Sequence, residues 1–255
     1  MNAPINDVRA TVSETEWEAR VNLAACYRLM PMFGMSDLVY NHITVRVPGE
    51  EDRLLINPYG FMYEEITASS LITINLAGDV LLNPHEDYDV NLAGYVIHSA
   101  VHGARHDVEC VIHTHSRAGM AVSALECGLL PLTQTAMRFG DIAYHEYEGP
   151  AVDTDERDRL TKDLGGSDAM ILRNHGLLVA AADIPQAFNT MYWLEMACRA
   201  QVDAMACNTN LHYPSQDVIA KTAHLYRPET RRPYGVMEWP AMLRLLDRRD
   251  RSFRD

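Results

Sequence analysis

The chain has 255 residues, of which 47% are hydrophobic and 22% are charged, and this composition is typical of a globular protein with one large core. Its formal net charge of −13 argues against a nucleic-acid partner, because phosphate binding needs a positive surface. No apolar run approaches the roughly 20 residues that span a bilayer, and residues 1–13 lack the apolar core of an export signal. Five cysteines without CxxC spacing suit a reducing compartment, so we expect a cytoplasmic protein with no membrane partner.

The first half of the chain predicts two helices and several strands. Ser13-Glu14-Thr15-Glu16 has the pattern of a capping box, so we expect a helix from there to about Met30. The apolar periodicity becomes helical again over residues 90–105, where His98, His102 and Arg105 share a face. The predicted strands of this half are residues 43–47, 54–56, 71–75 and 80–82.

The second half alternates strands with helices. A long helix is predicted to begin after Asp183, with Pro185 in its first turn, and to run to about Ala206. One or two further helices are expected in the C-terminal tail. Interleaved strands and helices indicate a layered α/β domain, with no linker or repeat that would divide it. The other predicted elements are a strand at 111–115, a helix at 116–126, a strand at 142–147, an acidic helix at 153–164 and a strand at 169–172.

The segment Val111-Ile112-His113-Thr114-His115 carries the strongest chemical signal. On a strand, residues two apart point to the same face, roughly 6.6 Å apart, so these two imidazoles can bind one metal ion. A third histidine, His175, follows another strand-like run in Arg173-Asn174-His175-Gly176. Three histidines with an open coordination position are typical of a catalytic metal site. An isolated HxH pair would more often be structural, and the matching context of His175 favours the metal.

The order of these motifs resembles the class II aldolase/adducin head-domain superfamily, in its adducin-like bacterial branch. The similarity covers roughly residues 15–210, and residues 239–251 look like the C-terminal segment of that branch. We therefore expect one domain over residues 1–255, with a core at about 15–210 and a helical extension at 211–255. The matching segments are residues 37–49, 56–60, 65–69, 98–115, 144–149 and 174–176.

The resemblance implies a three-layer α/β/α sandwich with a central, largely antiparallel sheet. It also implies a homotetramer with active sites between subunits. His113, His115 and His175 would hold one divalent metal per subunit, most often zinc, with iron or manganese as alternatives. In sugar-phosphate aldolases this metal holds substrate oxygens and stabilises the enediolate that forms when a carbon–carbon bond breaks.

The chain departs from the aldolase pattern where the acid/base glutamate is expected. Ungapped alignment back from His113 places Gly94 there, and Asp87 or Asp89 could substitute only if the local turn is rebuilt. Glu65 is a further candidate, although capping or bracing of a turn is the commoner role for such a residue. The loop at residues 130–136 also lacks the tyrosine that the aldolases extend into a neighbouring subunit. The phosphate-binding turns are altered as well, since bulky Tyr40-Asn41-His42 and Asn57-Pro58-Tyr59-Gly60 replace small hydroxyl residues. We therefore expect a substrate without a phosphate.

Several other side chains are candidates for the site. His98 lies one helical turn beyond Gly94, where it could serve as an acid/base or make a structural hydrogen bond between helix and sheet. His102 is expected at the surface. Arg138 could bind a substrate carboxylate in a bidentate manner, although an internal ion pair is commoner. The predicted substrate-binding residues are Asn41, His42, Arg138 and His145, and the predicted catalytic residue is His98.

Three functions remain open from the sequence. The first is a metal-dependent carbon–carbon lyase that cleaves or decarboxylates a small non-phosphorylated hydroxy- or oxo-acid through a metal-held enolate. The second is an Fe(II)-dependent oxygenase on the same scaffold, because three histidines leave positions for oxygen and substrate. The third is a non-catalytic adducin-like head domain, which the intact histidine triad disfavours.

Overall fold

The computed structural model describes residues 8–149, 154–227 and 229–255. In these ranges, eight strands form one sheet in the order β4-β3-β2-β1-β5-β8-β7-β6. All neighbouring strands are antiparallel except β6 and β7. The strands are β1 (His42–Arg46), β2 (Arg53–Ile56), β3 (Ile72–Asn75), β4 (Val80–Leu82), β5 (Cys110–Thr114), β6 (Ala143–His145), β7 (Ala169–Leu172) and β8 (Gly176–Ala181).

Helices cover both faces of the sheet, which confirms the predicted α/β/α sandwich with its largely antiparallel sheet. One layer contains α3 and α6, and the other contains α2, α4 and α7. No helix in the described ranges is long and apolar enough to cross a membrane. The helices are α1 (Val8–Thr11), α2 (Glu14–Met32), α3 (Leu92–Ala104), α4 (Arg117–Ser123), α5 (Gln134–Met137), α6 (Thr154–Leu164), α7 (Ile184–Ala206), α8 (Gln216–Leu225) and α9 (Trp239–Asp247), with short 3-10 helices at Tyr63–Glu65 and Ser252–Arg254.

Strand alternation divides the interior between the two helical layers. On β5, Ile112 belongs to the large core shared with α2 and α7, while Val111 belongs to the smaller core beneath α3 and α6. The same alternation on β1 sends Ile43 into the large core and leaves His42 and Thr44 facing α3. A polar strip therefore lies under α3, next to the end of β5.

Helix ends follow the sequence signals closely. The Ser13 side chain accepts from the Glu16 backbone N–H at the start of α2, and Asp183 accepts from the Gln186 N–H at the start of α7. The Glu16 carboxylate does not complete the predicted capping box, because it accepts from buried Arg20 instead. The predicted start of α6 at residue 153 lies outside the described residues.

Two elements were missed by the sequence analysis. The strand β8 begins directly after His175 and lies between β5 and β7, and it is buried along its whole length. A strand covered on both faces has no polar alternation, so its apolar run could not be distinguished from a helix segment. The short helix α5 lies in the segment that was predicted to be a loop, and Thr133 caps it.

Candidate metal centre

The three predicted ligands converge at the ends of β5 and β7. His113 Nε2 lies 2.8 Å from His115 Nε2, and His175 Nε2 lies 3.3 Å from the first and 3.0 Å from the second. In the described residues, this is the group of three or more His, Cys, Asp or Glu side chains whose ligand atoms are close enough to share a metal ion. Tetrahedral ligands at about 2.1 Å from zinc would be about 3.4 Å apart, so the cluster is close to the size that a metal requires.

Hydrogen bonds on the opposite ring nitrogens fix two of the tautomers. His113 Nδ1 donates to the Leu177 carbonyl at 2.9 Å, and His115 Nδ1 donates to the Asp37 carboxylate at 3.1 Å. With the proton on Nδ1, each ring presents a bare Nε2 lone pair to the cluster. Converging lone pairs repel one another, and a shared cation relieves that repulsion. The donor set therefore fits a divalent metal ion.

The turn between β7 and β8 brings His175 to the HxH strand. Asn174 adopts a left-handed backbone with φ of 54°, and the His175 N–H donates to the Leu172 carbonyl, which closes a tight turn. Gly176 then passes so close to β5 that a Cβ there would lie 2.2 Å from the Thr114 carbonyl oxygen. Only glycine allows this approach, so the Asn-His-Gly sequence is a geometric requirement of the cluster.

Burial keeps two rings of the cluster neutral. The pKa of His113 is well below its ordinary value, mainly because of burial and then because of His175 and His115. Burial and the neighbouring His115 lower the pKa of His175 to about 4. Protons therefore compete little with a metal ion for these rings near neutral pH.

A chain of buried side chains extends from the cluster into the α3 layer. The His42 ring lies beside that of His113, with ring centroids 5.4 Å apart. His42 Nδ1 lies 2.8 Å from His98 Nε2, and His98 Nδ1 lies 2.7 Å from Thr44 Oγ1. The same hydroxyl lies 2.8 Å from His102 Nε2. Three imidazoles and one hydroxyl thus form a continuous hydrogen-bonded chain.

The donor-to-acceptor direction of the hydrogen bonds in this chain depends on His102, at the end away from the triad. One hydroxyl has one proton, so Thr44 donates to one histidine and accepts from the other. Burial and Arg46 lower the pKa of His102 to about 3, while the Val108 backbone acts in the opposite direction, as only a carbonyl near a ring N–H does. Although His102 Nδ1 has no partner of full hydrogen-bonding geometry in the described residues, a lone pair there would be repelled by that carbonyl. We therefore assign the His102 proton to Nδ1.

That assignment determines the other tautomers by hydrogen-bond accounting. Thr44 then donates to His102 Nε2 and accepts from His98 Nδ1, so His98 Nε2 accepts from His42 Nδ1. This leaves His42 with a bare Nε2. His115 and His175 both act on the pKa of His42, which places this ring next to the cluster.

The position of His98 corrects its predicted role as a proton donor to substrate. The side chain has 0% exposure and is bonded on both nitrogens, so it cannot contact a substrate. Of the two roles open from the sequence, the structure has the hydrogen bond between helix and sheet. The surface position expected for His102 is wrong for the same reason, since this ring also has 0% exposure.

The Asn41 side chain braces the cluster. Its amide oxygen accepts from the His115 backbone N–H at 3.1 Å, and its amide nitrogen donates to the Met35 carbonyl at 3.2 Å. With 1% exposure, it positions a predicted ligand rather than reaching into solvent. This arrangement corrects its predicted substrate contact.

Two other predicted substrate contacts lie apart from the triad within one chain. His145 Nδ1 lies 2.8 Å from Asp163, and Nε2 lies 3.6 Å from Glu156, so its ring faces α6. Arg138 donates to Asn189 and Thr190 on α7. The contacts seen in the described chain direct these two side chains to α6 and α7, and their predicted role in substrate binding stays a prediction.

None of the carboxylates considered as a replacement for the aldolase glutamate belongs to the cluster. Glu65 accepts from the Met62 N–H and closes a 3-10 turn, and Asp89 accepts from the Val90 N–H. Asp87 is exposed, and residue 94 lies in the first turn of α3. A different carboxylate acts on the cluster in the described chain. Asp37 accepts from His115 Nδ1, on the side of the ring opposite the cluster, and so orients that ring.

Asp37, Thr44 and His102 had no predicted role at the site. Two signals could have revealed the buried chain. His98 and His102 are one helical turn apart, and His42 and Thr44 alternate on one face of a strand. Two polar pairs with matching periodicity on a helix and on a strand indicate a polar contact between the layers.

The mouth of the cluster has an aromatic rim. Tyr147 is half-exposed, and its ring centroid lies 6.1 Å from that of His175. The exposed rings of Tyr40 and Tyr59 lie 6.4 Å apart, in the two segments where the aldolase phosphate turns are expected. The Tyr147 ring therefore borders the predicted substrate entrance.

The family profile described as Class II Aldolase and Adducin N-terminal domain matches residues 21–202. The chain is similar to an aldolase II superfamily protein from Pseudomonas syringae, with 44% identity and a TM-score of 0.93 over 98% of this chain and 100% of the other. It is also similar to L-fuculose 1-phosphate aldolase from Glaciozyma antarctica, with 28% identity and a TM-score of 0.81 over 100% and 97%. Alpha-adducin of Mus musculus is 39% identical over 97% of this chain, and the match covers 36% of that protein.

The triad geometry predicts that metal content depends on each of the three rings. His113→Ala or His175→Ala should reduce bound metal from about one ion per chain to near zero, because two imidazoles cannot replace three in a closed donor set. Metal analysis of the purified variants checks this, with circular dichroism to establish folding. His212→Ala, at an exposed histidine, is the matched control and should retain the metal. Unchanged metal content in either triad variant would contradict the assignment.

The buried histidine chain predicts acid sensitivity of the metal-free protein. The pKa of His102 falls from 6.5 to about 3 on folding, so between these values the unfolded chain binds a proton that the folded chain does not. The free energy of unfolding should therefore fall as pH drops below about 6.5, by about 1.4 kcal/mol per pH unit for this one group. Urea unfolding at several pH values should show a shallower dependence in His102→Gln and no change in His212→Gln. Equal slopes in wild type and His102→Gln would refute this.

Proposed function

Because the chain belongs to the class II aldolase and adducin family, we propose that it is a metal-dependent carbon–carbon lyase. Its substrate would be a small hydroxy- or oxo-acid without a phosphate, and the reaction would be retro-aldol cleavage or decarboxylation. The observation that carries the proposal is the convergence of three Nε2 atoms within 3.3 Å of one another, with two of the rings oriented from behind. A purely structural triad would not need bare lone pairs that meet.

A divalent metal held by His113, His115 and His175 would supply Lewis-acid stabilisation of negative charge that develops on substrate oxygens. We propose zinc, with iron or manganese as alternatives. With only three protein ligands, the remaining positions stay available for two oxygens of a hydroxy- or oxo-acid. In the described chain no carboxylate lies in the donor cluster.

His42 would contribute a hydrogen-bond acceptor beside the metal. Its bare Nε2 can accept a hydrogen bond from a substrate hydroxyl. The hydroxyl proton then points toward His42 and away from the substrate oxygen on which negative charge develops. His98, Thr44 and His102 maintain this tautomer of His42. If the donor and acceptor of any one of their hydrogen bonds were exchanged, the others would have to exchange as well. The family glutamate is absent from the corresponding helix position, and His42 would supply a polar group near the same place.

The rim favours a substrate without a phosphate. Tyr40 and Tyr59 occupy the turns in which small donors would cradle an oxyanion. The side-chain amide oxygen and nitrogen of Asn41 are both hydrogen-bonded to backbone groups. An aromatic ring at such a turn displaces a phosphate and offers apolar contact instead. This supports a compact organic acid, including an aromatic one, over a sugar phosphate.

An adducin-like association role is the second candidate. The identity with alpha-adducin over nearly the whole chain favours it, since the same fold serves in that protein as one part of a longer chain. The oxygenase alternative would use the same three histidines with Fe(II). Metal analysis separates the three: iron together with oxygen-dependent turnover supports the oxygenase, and a metal-free protein supports the association role.

A substrate screen tests the lyase directly. The purified protein should cleave or decarboxylate at least one non-phosphorylated 2-hydroxy or 2-oxo acid, and it should act poorly on L-fuculose 1-phosphate. Turnover is measured as release of aldehyde, pyruvate or carbon dioxide. His113→Ala should reduce turnover at least about a hundredfold, because several kcal/mol of charge stabilisation is lost. Thr44→Val, which breaks the chain without touching the triad, should lower turnover with metal content unchanged, whereas Thr222→Val on α8 should have no effect. Efficient cleavage of the sugar phosphate would contradict the proposed substrate class.

We also propose that the chain forms a homotetramer, as the family resemblance implies. Light scattering at micromolar concentration should give a mass close to four times 28.7 kDa. A monomeric mass would refute the tetramer and would leave the metal assignment intact, since all three proposed ligands come from one chain.

A further inference from the structure

A second cavity lies at the opposite end of the sheet from the histidine triad. It consists of two adjoining hollows of about 130 and 360 Å³, which share Arg138, Asp168, Thr190 and Arg231 among their lining residues. Ala181, at the end of β8, also lines it, while Leu177 at the other end of that strand lies next to the triad. The two sites are thus separated by roughly 13 Å of strand and share no lining residue.

The charge balance of this cavity is incomplete. Four of its arginines have carboxylate partners, and one of these pairs is Arg231 with Asp168 at 2.5 Å. Arg138 is different, since in the part of the chain that the structure describes it forms no ion pair. The paired arginines that line the cavity are Arg105 with Asp107, Arg227 with Asp141, Arg231 with Asp168 and Arg232 with Glu238.

Arg138 is held in place by neutral groups. It donates from Nη1 to the Asn189 side chain at 2.9 Å and from Nη2 to the Thr190 hydroxyl at 3.1 Å. The guanidinium carbon lies 5.8 Å from the ring centre of Tyr226 and 5.3 Å from that of Tyr234. A neutral donor could make the two hydrogen bonds, so the positive charge is not needed to join α5 to α7.

The electrostatic cost of this charge is only partly compensated within the described chain, since Asp168 favours the charge but is paired with Arg231. Burial, followed by repulsion from Arg231, lowers the pKa of Arg138 to about 10. Removing a guanidinium from water without a counter-charge is unfavourable, and a bound anion would offset that cost. Two of the five guanidinium N–H groups are engaged by the side chains of α7, so donors remain for an oxyanion.

We propose that this cavity binds a small organic monocarboxylate with a planar or branched apolar body, at a site distinct from the triad. One unpaired positive charge matches one negative charge. The rings of Tyr226 and Tyr234, together with Ala180 and Pro233, provide apolar wall for the rest of the molecule. The carboxylate would accept from the free N–H groups of Arg138, with Arg231 nearby adding to the favourable field. This inference does not depend on the proposed lyase activity.

Calorimetric titration with benzoate tests the site, with neutral isosteric benzamide as the ligand control. Benzoate should bind the purified protein more tightly than about 10 mM, which is the value expected for nine non-hydrogen atoms at modest ligand efficiency. Benzamide should bind at least about tenfold more weakly, because it lacks the charge that Arg138 recognises. Binding should persist in His175→Ala, which separates this cavity from the metal site.

Variants of the two cavity arginines complete the test. Arg138→Gln, which keeps hydrogen-bond donors but removes the charge, should weaken benzoate binding about tenfold or more. Arg227→Gln is the matched control, since this exposed arginine lines the same cavity but is paired with Asp141, and its effect should be under about twofold. If Arg138→Gln does not fold, Arg138→Lys and the benzoate–benzamide comparison on wild type still decide. Equal affinity for the two ligands, loss of binding in His175→Ala, or tighter binding of inorganic phosphate would overturn the proposal.

Discussion

The convergence of three imidazoles is the constraint on which the rest of the site depends. Nitrogen atoms 2.8 to 3.3 Å apart tolerate one another only when their lone pairs share a cation or a proton. Burial disfavours the proton, as the pKa of about 4 for His175 shows. The surroundings are arranged accordingly, since the Leu177 carbonyl and the Asp37 carboxylate hold protons on the far side of their rings.

The same principle extends beyond the ligands. A tautomer is set by the hydrogen bond on the opposite nitrogen, so a proton on His102 determines, through Thr44 and His98, which face His42 presents next to the triad. These four side chains come from one strand and one helix that pack because the strand alternates between two cores. The fold therefore controls the electrostatics of the site from about two layers of side chains away.

Much of this arrangement could be predicted from the sequence, and the remainder depends on contacts distant along the chain. Local signals gave the cap of α7 at Asp183, the strand β7 and the HxH pair, because each depends on neighbouring residues. The strand β8 could not be recognised, since burial on both faces removes alternation. The separation of Arg138 from the triad was also inaccessible, because it depends on how α5 packs against α7. For His98 the sequence left two roles open, and only the packing of α3 on β1 shows that the side chain makes the buried hydrogen bond between helix and sheet.

A crystal structure of the metal-loaded protein, with anomalous diffraction at the metal edge, tests the central claim most directly. We expect one anomalous peak per chain, about 2.1 Å from Nε2 of His113, His115 and His175 if the ion is zinc, and with no carboxylate of the same chain among its ligands. A peak bound through Nδ1, a peak elsewhere in the chain, or a ligand bond from Glu65, Asp87 or Asp89 would contradict the account.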